Sequence, residues 1–187
     1  YRGNRTTKRN AEHFSAFNSY NYPALAKAGV HITYQPHLVH YNDLKAELKL
    51  HTKYDPNVTI LKIFPGIQQP AVRAILRTKG LKAVVLETFG AGNAPSATWL
   101  YKELKAAVDK GIIIVNKTQC NTGSVEMGLY AVSLNLMKAG VLSGYDITTE
   151  ALLTKMMYLL GEYPDNPEMV KQLLLTNLCG EVTMDEN

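Results

Sequence analysis

The stretch Ala83-Val84-Val85-Leu86-Glu87-Thr88-Phe89-Gly90-Ala91-Gly92-Asn93-Ala94-Pro95-Ser96 constrains the fold most. A short, continuous, β-branched apolar run reads as a strand buried on both faces. It stops at a turn in which Gly90 and Gly92 let the backbone bend where a side chain would clash. Ser96 is a candidate N-cap. Ala97, Leu100, Tyr101, Leu104, Ala107 and Val108 then recur at helical spacing, and Gly111 closes the helix. Ile112–Val115 is the next buried run. A strand–helix–strand unit of this kind places ligands beyond the carboxyl ends of its strands, so the turn at 90–95 is the first candidate site. Its pattern, G-x-G-x-x-P, lacks the third glycine of a dinucleotide fingerprint. No acidic residue closes the following strand, which ends in Asn116-Lys117-Thr118, so nucleotide binding is not favoured.

Val58-Thr59-Ile60-Leu61-Lys62-Ile63-Phe64 is a third strand of the same type, followed by Pro65-Gly66 and a helix opened by Pro70. Strands near 58–64, 83–88 and 112–117, alternating with helices, predict a three-layer parallel α/β sheet flanked by helices, beginning near residue 57. Residues 124–139 carry both a strand-like and a helical pattern, with Leu129 and Tyr130 among their apolar positions. Asp146-Ile147-Thr148-Thr149-Glu150 predicts a capped helix with an acidic first turn. Asn166-Pro167 opens another, and the tail 181–187 is expected to fray.

The first 56 residues have a different texture. Residues 1–22 are polar and rich in turn residues, and are expected to lack a compact core. Ala24–Ala28 reads as a short helical turn. Val30, Ile32 and Tyr34, then Ala46, Leu48, Leu50, Thr52 and Tyr54, alternate with polar residues and predict two half-buried antiparallel strands. His37 and His40 have the spacing of a metal pair. No third ligand is placed, so solvated loop histidines are favoured over a metal site.

The net charge of +4 comes largely from Arg2, Arg5, Lys8, Arg9 and Lys27, against Glu12 alone over that stretch. A basic arm can bind nucleic acid. Without interleaved aromatic stacking residues, the favoured reading is a segment separated from a domain that would supply its acidic partners. No apolar run approaches the roughly 18–20 residues that span a bilayer, and no signal-peptide pattern is read. Only Cys120 and Cys179 occur, which indicates a reducing cytosol over a disulfide framework. Cys120 could be a nucleophile or redox thiol; a structural thiol is favoured.

Taken together, Tyr1-Arg2-Gly3-Asn4-Arg5-Thr6-Thr7-Lys8, Gly90-Ala91-Gly92-Asn93-Ala94-Pro95, Thr118-Gln119-Cys120 and Asp146-Ile147-Thr148-Thr149-Glu150-Ala151 resemble the bacterial L-asparaginase family, most closely its cytoplasmic (type I) branch. The resemblance covers the back half of such an enzyme. Neither the Thr-Gly-Gly-Thr nor the Gly-Thr-Asp-Thr segment that carries the family's catalytic threonines occurs here. It implies an asparaginase C-terminal domain at 57–187, connecting antiparallel strands at 30–56, and a remnant of the N-terminal catalytic domain at 1–29. It implies hydrolysis of L-asparagine to L-aspartate and ammonia by the intact parent through an acyl-threonine intermediate. The fragment itself, lacking the nucleophile, is expected to be inactive. Lys8 takes the place of the lysine in the family's threonine–aspartate–lysine relay; a lysine of depressed pKa can help a threonine hydroxyl lose its proton.

By the same resemblance Asn93 contacts the substrate of a neighbouring subunit. Thr118 and Cys120 belong beside an effector pocket, and the assembly is a homodimer or homotetramer in the cytoplasm, with no cofactor, metal, nucleic acid or membrane partner. Glu87 stands where relatives can have arginine. An acid there is expected to repel an effector carboxylate, which argues against allosteric control. The competing reading is a non-catalytic α/β domain holding a small ligand at its strand ends.

Overall fold

The apolar runs at 58, 83 and 112 become adjacent parallel strands in a computed structural model that describes residues 1–40, 47–128 and 131–184, with only the backbone of Ala131 and Val132. Ala46, Leu129, Tyr130 and the last three residues of the tail, about which the sequence carries expectations, lie outside the described residues.

The first two short strands, β1 (Thr7–Lys8) and β2 (Phe17–Asn18), pair antiparallel, as do β3 (Ala26–Ala28) and β4 (Ile32–Tyr34). The main sheet has four parallel strands in the order β5 (Val58–Lys62), β6 (Ala83–Thr88), β7 (Ile113–Thr118) and β8 (Leu142–Ser143). Between them run α1 (Gln69–Leu76), α2 (Thr98–Val108) and α3 (Ala131–Lys138); α4 (Thr149–Glu162) and α5 (Pro167–Leu174) follow.

Alternation along the strands builds the three layers. Leu61, Val84, Leu86 and Ile114 meet Val72 and Leu76 of α1, Leu100 and Leu104 of α2, and Leu136 of α3 on one face. Ala83, Val85, Ile113 and Val115 meet Leu152, Met156 and Leu159 of α4 and Val170 and Leu174 of α5 on the other. Each fully buried aliphatic side chain contributes about 1.5–3 kcal/mol of transfer free energy, so the two apolar layers hold the sheet in register.

Local signals account for most helix ends. Thr148 accepts a hydrogen bond from the Ala151 amide at 3.2 Å and caps α4, with Glu150 in the acidic first turn. Asn166 accepts from Met169 N at 3.0 Å ahead of Pro167. Ser96 does not cap α2: the N-cap is Ala97, with no side-chain bond, and the Tyr101 hydroxyl holds the Pro95 carbonyl instead at 3.0 Å. The ambiguous stretch contains helix α3, and β8 adds a fourth strand that the sequence reading lacked. At two residues between glycines, β8 is too short for periodicity to reveal. Gly144 secures it, donating to the Asn116 carbonyl at 2.8 Å, which an added Cβ would approach to 2.9 Å.

The linker departs from expectation. Ala26–Ala28 is a strand rather than a helical turn, because it forms a hairpin with Ile32–Tyr34 around Gly29-Val30-His31. Ile32 and Tyr34 are exposed rather than half-buried, and residues 47–54 form no strand. That segment instead crosses α4: Asp55 N donates to the Met157 carbonyl at 2.9 Å, and a Cβ on Gly161 would meet the Tyr54 backbone at 2.5 Å. Glycine at 161 is therefore what lets the chain pass.

Arg5 is the only buried side chain among residues 1–22, so the segment has no core of its own. It is nonetheless fastened to this chain. Arg2 reaches the Gly180 carbonyl at 3.3 Å, and Asn4 the Cys179 carbonyl at 2.9 Å. Arg5 forms a bidentate pair with Asp146 at 2.9 and 2.5 Å. The acidic partner expected from a separate domain lies 141 residues further along the same chain.

Candidate functional site

Three loops leave the carboxyl ends of β5, β6 and β7. The second is the glycine turn. Phe89 and Asn93 exchange both backbone hydrogen bonds, at 2.8 and 2.7 Å, so the turn is a closed loop. Gly92 has φ +107°, and a Cβ there would come within 2.9 Å of Val125 and 3.0 Å of the Asn116 amide nitrogen. Only glycine fits. Asn93 is half-buried, and its side-chain amide makes no hydrogen bond among the described residues. The turn thus offers an unengaged amide from a rigid backbone.

The third loop begins with Thr118, which is buried and accepts a hydrogen bond from Cys120 N at 3.0 Å. Gln119 donates to the carbonyls of Ile63 and Glu87, at 2.6 and 3.0 Å, and ties the three strand ends together. Cys120 is exposed. Thr118 and Cys120 line a cavity of about 420 Å³ together with Thr7, Lys62, Glu87, Lys117 and Glu150.

Strand register dictates the charges in this cavity. Lys62 is opposite Glu87, and Glu87 is opposite Lys117, giving a plus–minus–plus row across β5, β6 and β7. Glu87 is already engaged: Lys62 lies at 3.4 Å and the Thr149 hydroxyl donates to it at 2.8 Å. Glu150 accepts from the Thr7 hydroxyl at 2.5 Å. Lys117 has no ion-pair partner within 4 Å among the described residues. Burial lowers its pKa, and the charges of Glu87 and Glu150 offset that only in part. An acid at Glu87 therefore does not leave the cavity without a cation for an anionic ligand.

The N-terminal segment closes one side. Arg5 also donates to the Glu181 carbonyl at 3.0 Å, the Thr183 hydroxyl at 2.9 Å and the Asn21 carbonyl at 3.3 Å. Burial pushes the Asp146 carboxyl up, but the bonds from Arg5 and Thr183 outweigh it and hold the group below its ordinary value. Three residues on, Lys8 is exposed on β1 and lines a second cavity of about 510 Å³ with Thr7, Arg9, Asn10, Tyr20 and Asn121. Thr7, Tyr20 and Asn121 line both cavities. The structure thus brings Thr118 and Cys120 into one cavity and puts Lys8 in the next. Asn93 lines neither. His37 and His40 are exposed around a 3₁₀ turn at Pro36–Leu38, and no cluster of three His, Cys, Asp or Glu side chains forms among the described residues.

Sequence reasoning missed Lys62, Lys117, Thr7 and Glu150. Strand register brings Lys62 and Lys117 to either side of Glu87, while β1 and the first turn of α4 carry Thr7 and Glu150 to the same space. The one available signal was a charge at the same place near the end of successive apolar runs.

The model of the glutaminase/asparaginase C-terminal domain matches residues 57–174. L-asparaginase 1 of Escherichia coli (strain K12) is 43% identical over 188 residues, covering 100% of this chain and 54% of that protein. The 60 kDa lysophospholipase of Homo sapiens is 43% identical over 183 residues, covering 98% of this chain and 32% of that protein. The crystal structure of L-asparaginase I from Vibrio cholerae O1 biovar eltor superposes with a TM-score of 0.88 at 40% identity, over 98% of this chain and 55% of that one. The chain therefore spans between 32% and 55% of the length of these proteins. No helix among the described residues is long and apolar enough to cross a membrane.

Proposed function

Because the chain belongs to the glutaminase/asparaginase family, whose C-terminal domain it contains, we propose that it works within an amidohydrolase that converts L-asparagine to L-aspartate and ammonia through an acyl-threonine intermediate. The observation that carries this reading is the reach of the likeness. It takes in 98% of the chain, so the arm bearing Lys8 matches along with the α/β domain.

In this reading residues 57–187 are the C-terminal domain, 30–56 the connection, and 1–29 the end of the catalytic domain. The division at 29/30 falls in the β3–β4 turn. Lys8 takes part in moving a proton from the attacking threonine, which comes from the part of the relatives that this chain does not span. The Arg5–Asp146 clamp fixes the arm three residues before it. Asn93, its amide unengaged, reaches the substrate held by a neighbouring subunit in a cytoplasmic homodimer or homotetramer. The cavity at Thr118 and Cys120 supports a second, compatible role: it holds a small effector, with Lys117 as the cation that Glu87 does not supply.

In the full-length enzyme, Lys8→Ala is expected to lower kcat by about 10²–10⁴-fold, the range for a positioned proton-transfer group. The 187-residue chain alone is expected to release no ammonia from L-asparagine, since covalent catalysis fails without its attacking group. Full activity of the variant removes Lys8 from the relay. Turnover by the chain alone overturns the assignment of the nucleophile to the missing part.

A further inference from the structure

Asn116 lies on β7 beneath the glycine turn, and both it and Thr88 are fully buried. Its Oδ1 accepts the Thr88 hydroxyl at 2.6 Å, and its Nδ2 donates to the Gly92 carbonyl at 3.2 Å and towards the Met127 sulfur at 3.5 Å. The amide can point only this way, because a carbonyl accepts and never donates. A buried asparagine among apolar residues is costly unless its bonds are made. Here one of those bonds ties Asn116 to the end of β6 at Thr88, and another reaches up to the turn at Gly92.

We infer that Asn116 is the positioning residue of the glycine turn, setting where the neighbouring subunit's substrate meets Asn93. This rests on the reading of Asn93 as a substrate contact. Three constraints converge on one peptide. The Gly92 carbonyl is held from below by Asn116, and the space for a Cβ on Gly92 is filled by Val125 and the Asn116 amide. Asn93, the next residue, is locked to Phe89 through both of its backbone groups. The side chain of Asn93 is the part left free. Releasing the Gly92 carbonyl frees the peptide that joins Gly92 to Asn93, and with it the direction in which the Asn93 amide points. A fully buried amide thereby acts on substrate affinity without touching substrate.

The test uses the full-length enzyme with L-asparagine. Asn116→Leu is expected to raise KM about tenfold, what the loss of one well-placed hydrogen bond is worth, while kcat stays within about threefold. Thr88→Val removes only the hydroxyl that orients the amide, keeps its shape, and is expected to raise KM less; it carries the test if Asn116→Leu does not fold. The decisive readout is coupling. On an Asn93→Ala background, which itself raises KM, either substitution is expected to add less than about twofold, because its route to the substrate is gone. A KM effect that persists undiminished on that background, or falls on kcat alone, overturns the inference. An unchanged KM for Asn93→Ala by itself overturns the Asn93 contact, and with it this inference, while leaving asparagine hydrolysis standing. Absence of turnover by the unmodified enzyme removes the proposed function and all that rests on it.

Discussion

Replacing Arg5 with methionine keeps the side chain's length and removes its charge and donors. The arginine side chain is 2% exposed and makes five hydrogen bonds, two of them to an Asp146 carboxylate that is 10% exposed. The variant leaves Asp146 to Thr183, whose amide donates to it at 2.8 Å, and leaves the Glu181 carbonyl without the Arg5 donor. Breaking a buried pair by removing one partner costs about 3–5 kcal/mol, because the other charge stays buried and uncompensated. Against a total stability of roughly 5–15 kcal/mol that is a large share. A shift of this size lowers Tm by about 10 °C in a domain of this length. Urea unfolding at pH 7 of Arg5→Met, Asp146→Asn and the double variant measures it, with a coupling energy of about 1–3 kcal/mol expected.

The pH dependence gives an independent check. In the native chain Asp146 sits below its ordinary value of 3.8, so the stability it contributes is full above that pH and is lost as pH falls through its folded value. In Arg5→Met the lowering bond and charge of Arg5 are gone while burial stays, so the carboxyl takes up a proton at a higher pH than in the native chain and the variant's deficit shrinks on acidification. A cost under about 1 kcal/mol, the worth of an exposed pair, would refute the reasoning. So would additivity of the two single substitutions, or a deficit that does not change with pH.

Three further outcomes follow from the same structure. Burial raises Glu181, but Lys155 and the amides of Cys179 and Leu178 outweigh it and bring it down to about 2. Its stability is present above 4.5 and lost as pH falls towards 2, so Glu181→Gln is expected to flatten the acid limb of a stability-versus-pH curve in that window; an unchanged limb counts against it. Gly92→Ala, forced to φ +107° against Val125 and Asn116, is expected to cost about 1–3 kcal/mol in denaturant unfolding, and a neutral result would show that the turn can relax. Lys117→Met removes a desolvated cation with no ion-pair partner among the described residues, so Tm is expected to hold or rise while calorimetric binding of a small carboxylate effector at the proposed Thr118–Cys120 cavity is lost; a fall in Tm would mean the charge is structurally compensated.

The sheet was legible because its signal is local and redundant. Val84, Leu86, Ile114 and Val115 had to be buried on both faces, and Gly90, Gly111, Thr148 and Asn166 punctuate the elements by rules that act over one to four residues. The turn that presents Asn93 was visible for the same reason, since no residue but glycine tolerates its backbone. What the sequence by itself could not decide is which distant groups meet. Arg5 looked like a stray basic residue until Asp146, 141 positions away, closed on it. Glu87 was singled out by the resemblance alone, and its flanking partners Lys62 and Lys117 were not, until the parallel register set the three charges side by side. Ala24–Ala28 has helix-forming composition, yet hairpin pairing with Ile32–Tyr34 made part of it a strand. Buried charge pairs and strand register are fixed by the free energy of the whole chain, because a charge leaves water only where its partner already stands. Periodicity and capping chose the elements of this protein, and tertiary packing chose the neighbours that give its cavities their chemistry.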